Sequence, residues 1–142
     1  FVPLDAPLPL QISGTVDMPF VLEDREVAIL LGESERKASL EGFDFEVQEY
    51  SNSEAGMTFS LHVQKGKDIG ENYAAHLNRG SVEVLTGAGS WVKVAWTGGS
   101  PSLFAFRANR PLESPSKIRF RWNTKFHRVQ FPWTLEGIRL PE

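Results

Sequence analysis

The chain has 142 residues, 41% of them hydrophobic, with no cysteine and a formal net charge of −3. That length suits one domain able to bury about two thirds of its unfolded surface. The absence of cysteine excludes disulfide staples and thiolate metal sites. No apolar run approaches the roughly 18 residues of a membrane span, so membrane insertion by a helix is excluded too. The first residue is Phe1 and not Met, so a signal sequence or further domains are among the segments expected upstream.

Taken in chain order, FVPLDAPLPLQ carries Pro3, Pro7 and Pro9. Residues 1–9 are therefore predicted to be an extended lead-in to a single domain over 10–142. Strands are predicted over about 10–21, 26–31, 39–50, 57–65, 81–85, 91–97, 102–107, 117–122 and 126–139. The reason is alternation with period two, which only a strand with one buried face requires. Phe43, Phe45 and Val47 alternate with polar residues, as do Met57, Phe59, Leu61 and Val63. Val92, Val94 and Trp96 repeat the pattern, followed by Ile118, Phe120 and Trp122, then Val129, Phe131, Trp133 and Leu135. Glycine and proline punctuate the intervals, Gly56, Gly66, Gly98, Gly99 and Pro101 among them, as turns require. Asp68 to Leu77 is the best helical candidate, at one or two turns. About nine strands in one domain predict an all-β, two-sheet antiparallel β-sandwich, immunoglobulin-like or jelly-roll-like. Near the end, a bulge at Glu136 and Gly137 is expected to shift the parity, letting the last strand serve both sheets or turn a corner.

Strand parity also sorts the aromatic residues. Trp96, Trp122 and Trp133 share faces with aliphatic neighbours and are predicted core, so Trp133→Ala is expected to cost about 3–5 kcal/mol. Trp91 has the opposite parity, follows the turn TGAGS, and is predicted to show its ring to water. An exposed indole can stack on a sugar face while a neighbouring group donates a hydrogen bond. Trp91, Lys93 and, from the long loop, Tyr73 are therefore the candidate ligand-binding residues, with polysaccharide as ligand. The plainer account is that Trp91 covers a sheet edge or touches a neighbouring domain.

Charge is unevenly spread: residues 1–57 carry a net −9 and residues 107–142 a net +5. A basic third can serve nucleic acid, but acidic and basic strands lying side by side neutralise one another, and no nucleic-acid partner is predicted. Catalytic patterns are poor. His62 lies in a polar row with Ser60 and Gln64, His76 in the loop ENYAAHLN and His127 at the start of a strand, none in a nucleophile motif. A hydrolase using His62 or His76 is the marginal reading. Glu23, Asp24 and Glu26 in LEDRE offer the carboxylates that calcium takes, though three acids in a turn are ordinarily a soluble turn. No catalytic residue, metal or cofactor is predicted.

The closing segment KIRFRWNTKFHRVQFPWTLEGIRLPE resembles the ends of domains found in tandem in exported bacterial proteins, which close with a pattern like PFxFxDLPLP. Phe131, Pro132, Trp133, Leu135, Ile138, Leu140 and Pro141 hold the matching places, with Gly137 where an acidic residue is usual. Leu103 to Phe106 followed by Pro111 and Leu112 resemble the preceding strand and turn, and Gly14, Phe20 and Leu22 the opening. The resemblance implies an immunoglobulin-like sandwich in a periplasmic or extracellular setting, with no site residues to carry over. The reading that results is a non-catalytic interaction or structural module of a larger exported bacterial protein, bound to another protein or to a neighbouring domain. A carbohydrate-binding module is the alternative.

Overall fold

Alternating apolar and polar side chains set nine strands in the computed structural model, which describes residues 10–67 and 73–138. In chain order they are β1 (Leu10–Leu30), β2 (Lys37–Leu40), β3 (Phe43–Ser53), β4 (Gly56–Lys65), β5 (Leu77–Leu85), β6 (Trp91–Lys93), β7 (Ala95–Ser100), β8 (Leu103–Ala108) and β9 (Lys117–Ile138). They form two antiparallel sheets, ordered β1-β9-β5-β6 and β2-β3-β4-β8-β7. The chain is thus the all-β, two-sheet antiparallel sandwich that the pattern predicts, and no helix occurs among the described residues. The lead-in 1–9 and the first half of the helical candidate, 68–72, lie outside the described residues. Tyr73 to His76 make a turn, and β5 starts at Leu77.

The chain divides into two compact units, Leu22–Lys125 and the pair of ends Phe1–Val21 with Phe126–Glu142. Two layers pack in the larger unit. From the five-stranded sheet come Phe43, Phe45, Val47, Met57, Phe59, Leu61 and Val63; from the other come Val27, Ile29, Val82, Val84, Ile118, Phe120 and Trp122, all buried. An aromatic cluster joins the layers: Phe45 meets Phe120 at 5.2 Å and Trp122 at 4.8 Å between ring centroids, both edge-on. That edge-to-face geometry is favoured because the positive rim of one ring meets the negative face of another.

Predicted and observed strands differ in several places: 39–50 is two strands, β2 and β3, parted by the turn at Glu41 and Gly42, and the strand predicted over 81–85 already starts at Leu77. Residues 10–21 and 26–31 belong to one strand, because LEDRE continues the strand. Asp24 there accepts two hydrogen bonds from Arg121 on β9, at 3.0 and 2.9 Å. Likewise 117–122 and 126–139 belong to one strand, β9, which pairs in the four-stranded sheet alone and does not serve both sheets. By contrast 91–97 is two strands. Val94 is the buried corner at which the chain leaves one sheet for the other.

That corner corrects the placement of Trp96. Its indole is 45% exposed, because β7 is the edge strand of its sheet, and the Arg79 guanidinium lies over the ring at 4.2 Å. Trp133 is corrected too. At 39% exposure it is no core residue, and Phe131 and Leu135 are exposed with it. Strands of the other sheet are 4 to 11 residues long. β1 and β9 have 21 and 22 residues, and parity tells only that Phe131, Trp133 and Leu135 share a face, not that the face is covered.

The uneven charge is resolved between neighbouring strands. Arg119 and Arg121 of β9 pair with Glu26 and Asp24 of β1, and Arg119 also with Glu83 of β5 at 3.3 Å. Asp44 and Glu46 lie in the other sheet, where Asp44 accepts a hydrogen bond from Ser39 at 2.6 Å. The Arg121 guanidinium holds the Asp24 carboxyl below the usual aspartate range. A carboxyl depressed in the folded state contributes stability above its unfolded pKa and loses it as pH falls through the folded value. Asp24→Asn should therefore flatten part of the acid limb of the stability curve while leaving the rest of it in place. Thermal melts of the two proteins from neutral to strongly acidic pH check this; parallel curves would mean the pair is not formed in solution.

Candidate functional site

The outer face of the four-stranded sheet carries two of the three predicted ligand residues. In register, Lys93 stands opposite Glu83, and Glu83 opposite Arg119. With Glu26 beyond Arg119, charge alternates in sign across four strands. Alternating neighbours of this kind satisfy one another and leave little field for a charged ligand. Trp91 is half-buried on β6, with the Arg119 guanidinium 3.7 Å over its ring. This cation–π contact covers one face of the indole that was predicted to be open to water.

Tyr73 is elsewhere. It is 2% exposed, edge-on to Phe43 at 5.7 Å, and belongs to the core cluster. A loop tyrosine was expected at the surface, but the turn at 73–76 folds inward, its Tyr73 N–H donating to the Pro101 carbonyl at 3.0 Å. The structure does not bring Trp91, Lys93 and Tyr73 together on one surface.

Of the three histidines His76 is placed for packing, while His127 is exposed. His76 lies parallel to Trp122 at 5.2 Å between rings, with its Nδ1 2.8 Å from the Asn123 carbonyl oxygen. His62 stands opposite Glu46 on the outer face of the five-stranded sheet. A shallow hollow of about 230 Å³ opens there beside Asp44, Glu46 and Gln64, and another of about 190 Å³ beside Arg79, Trp96 and Pro101. Both fall below the roughly 300 Å³ at which small-molecule pockets begin. The acids of LEDRE alternate along a strand, Glu23 near Arg25, Asp24 on Arg121 and Glu26 near Arg119. Among the described residues no group of three His, Asp or Glu side chains is placed to hold a metal ion.

The most unusual surface is in the smaller unit, where 10–21 of β1 and 126–138 of β9 form a two-stranded ribbon. Phe131, Trp133 and Leu135 keep on β9 the parity read from sequence, and on β1 Leu10, Ile12, Val16, Met18 and Phe20 alternate in the same way. Two contacts place both rows on the same face. Phe20 and Phe131 meet edge-on at 6.2 Å, and the Trp133 indole lies so close over Gly14 that a Cβ there would stand 2.8 Å from the ring. Asp17 and Arg128, of the opposite parities, pair on the other face at 3.2 Å.

The eight apolar side chains are 39% to 54% exposed. Single exposed apolar residues are ordinary, but a contiguous row of this size marks an interaction surface. Sequence parity had grouped Phe131, Trp133 and Leu135 on one face, and the row on β1 was not read from it. Parity reports which residues share a face and is silent on whether anything covers that face. Comparison with protein-family models, with curated proteins and with solved structures finds no match for this chain, so the ribbon's geometry is the observation on which a functional reading stands.

Proposed function

We propose that this chain is a non-catalytic β-sandwich module of a larger exported bacterial protein, and that it works by docking a protein surface on the apolar face of its ribbon. The observation that carries the reading is that face, with eight apolar side chains in two adjacent rows exposed to water. Two further points support it. An isolated two-stranded ribbon is marginal in water and gains stability from a packed face. The carboxylates of the sandwich's charged outer face are engaged with arginines and so are poorly placed as general acids or bases. The exported bacterial setting comes from the resemblance of the C-terminal segment to tandem domains of such proteins.

A photo-reactive phenylalanine analogue at position 135, on the apolar face, tests the reading, with the same group at position 130 on the polar face as control. Irradiation in the producing cell is expected to give a protein adduct from position 135 and none from position 130. Equal yields from both positions, or no adduct from 135, would overturn the docking face.

A further inference from the structure

We infer that the partner of the apolar ribbon face is a second copy of this chain, packed face to face about a two-fold axis; this rests on the docking reading above. The first argument is area. The eight residues stand 39% to 54% exposed in one copy, so their open apolar surface is on the order of several hundred Å², and two copies packed face to face reach the lower part of the range of specific stable interfaces, about 1,600 ± 400 Å² in total. A face of this size can sustain a dimer without help from the rest of the chain.

The second argument is how the ribbon can be covered. Proline has no N–H to give to a ladder, so within a strand pair it sits with its nitrogen turned to the free edge. Pro19 stands in the β1 half of the ribbon and Pro132 in the β9 half, so each strand has one position with no N–H to give to an added strand. Prolines of this kind oppose edge-to-edge pairing. Covering over the face, as sheet on sheet, is thereby favoured, and a partner that covers it so brings an apolar sheet face of like width. The chain makes such a face itself, and an isologous pairing of it closes after two copies instead of growing into a filament.

The third argument is chemical. Among the described ribbon residues the charges are Asp17, Arg128 and Glu136, a small acidic excess. Lipid-binding amphipathic elements instead carry lysine and arginine for anionic headgroups. Trp133 lies over Gly14. That makes the face broad and even, the shape that sheet packing at about 10 Å requires.

Sedimentation velocity of the 142-residue chain over about 1–200 µM, a span chosen for standard-size interfaces, decides the matter. The expected result is a species of twice the 15.9 kDa monomer mass. Leu135→Asp and Trp133→Asp should each weaken association by at least about 100-fold, because each places two carboxylates in an apolar interface. Gln130→Asp on the polar face should leave it unchanged. Unaltered melting of the variants' sandwich, followed by near-ultraviolet circular dichroism, excludes misfolding as the cause.

A wild-type chain of 15.9 kDa throughout, or a dimer that survives both substitutions, would overturn the second copy as partner. So would co-sedimentation of a monomer with phosphatidylcholine–phosphatidylglycerol vesicles that Leu135→Asp abolishes. The cross-link from position 135 separates this failure from that of the docking reading. An adduct to a different polypeptide rejects only the second copy, whereas no adduct rejects both.

Discussion

Trp122→Ala should lower the stability of the sandwich by about 3–5 kcal/mol, the range for deleting a buried aromatic side chain. Trp122 is wholly buried and sits where the two sheets meet, with Phe43 and Phe45 on one side and the stacked His76 on another. Truncation removes apolar surface from burial and leaves a cavity that strands fixed by their ladders cannot close. Domains of this size are stable by only about 5–15 kcal/mol, so much of the native margin would be lost. Urea unfolding followed by circular dichroism measures the effect. Trp133→Ala is the informative contrast. Its ring lies on the ribbon, and below the concentration at which chains associate it should cost no more than about 1 kcal/mol, the ordinary scale for a partly exposed site. Equal losses for the two tryptophans would show that the ribbon face is buried in the free chain.

Gly56→Ala should be nearly as damaging, at about 2–4 kcal/mol, by a different route. Gly56 opens β4 with φ at +121°, a conformation that side-chain-bearing residues rarely adopt, and it is buried. A Cβ added there would run into the carbonyl oxygen of Ala108, whose residue is paired in register with Met57. The obstacle is backbone held in a ladder, so relief would require β4 and β8 to part. Gly42→Ala separates strain from collision. Gly42 also has a positive φ, +85°, but nothing stands within 4 Å of the added atom. Its cost should be about 1 kcal/mol, from backbone conformation alone. Similar urea midpoints for the two variants would refute the close approach of β4 to β8.

The interior rows were legible because period two is a local property. Met57, Phe59, Leu61 and Val63 alternate with polar neighbours, and so do Ile118, Phe120 and Trp122; every one of them is buried. The same reading misplaced Trp96, because nothing local announces that the chain changes sheets at Val94. It misplaced Trp133 because parity reports which residues share a face and is silent on whether anything covers that face. Tyr73 was expected to be open to solvent on the strength of its loop, yet its packing against Phe43 depends on a residue thirty positions earlier in the chain. Trp91 was correctly placed on the outer side of its strand, but the Arg119 that covers one face of it comes from β9, two strands away in the sheet.

By itself the sequence determined the class of fold, the strands and the grouping of side chains into faces. Each follows from steric and hydrophobic preferences that act between residues a few positions apart. Tertiary structure alone decided which faces are covered, which charges meet and where an apolar surface is left to a partner. Those outcomes depend on which strands become neighbours and how long each is relative to the one it faces. The ribbon shows the difference most clearly, since its alternation matches that of the core strands and only the lack of a covering sheet makes it a surface.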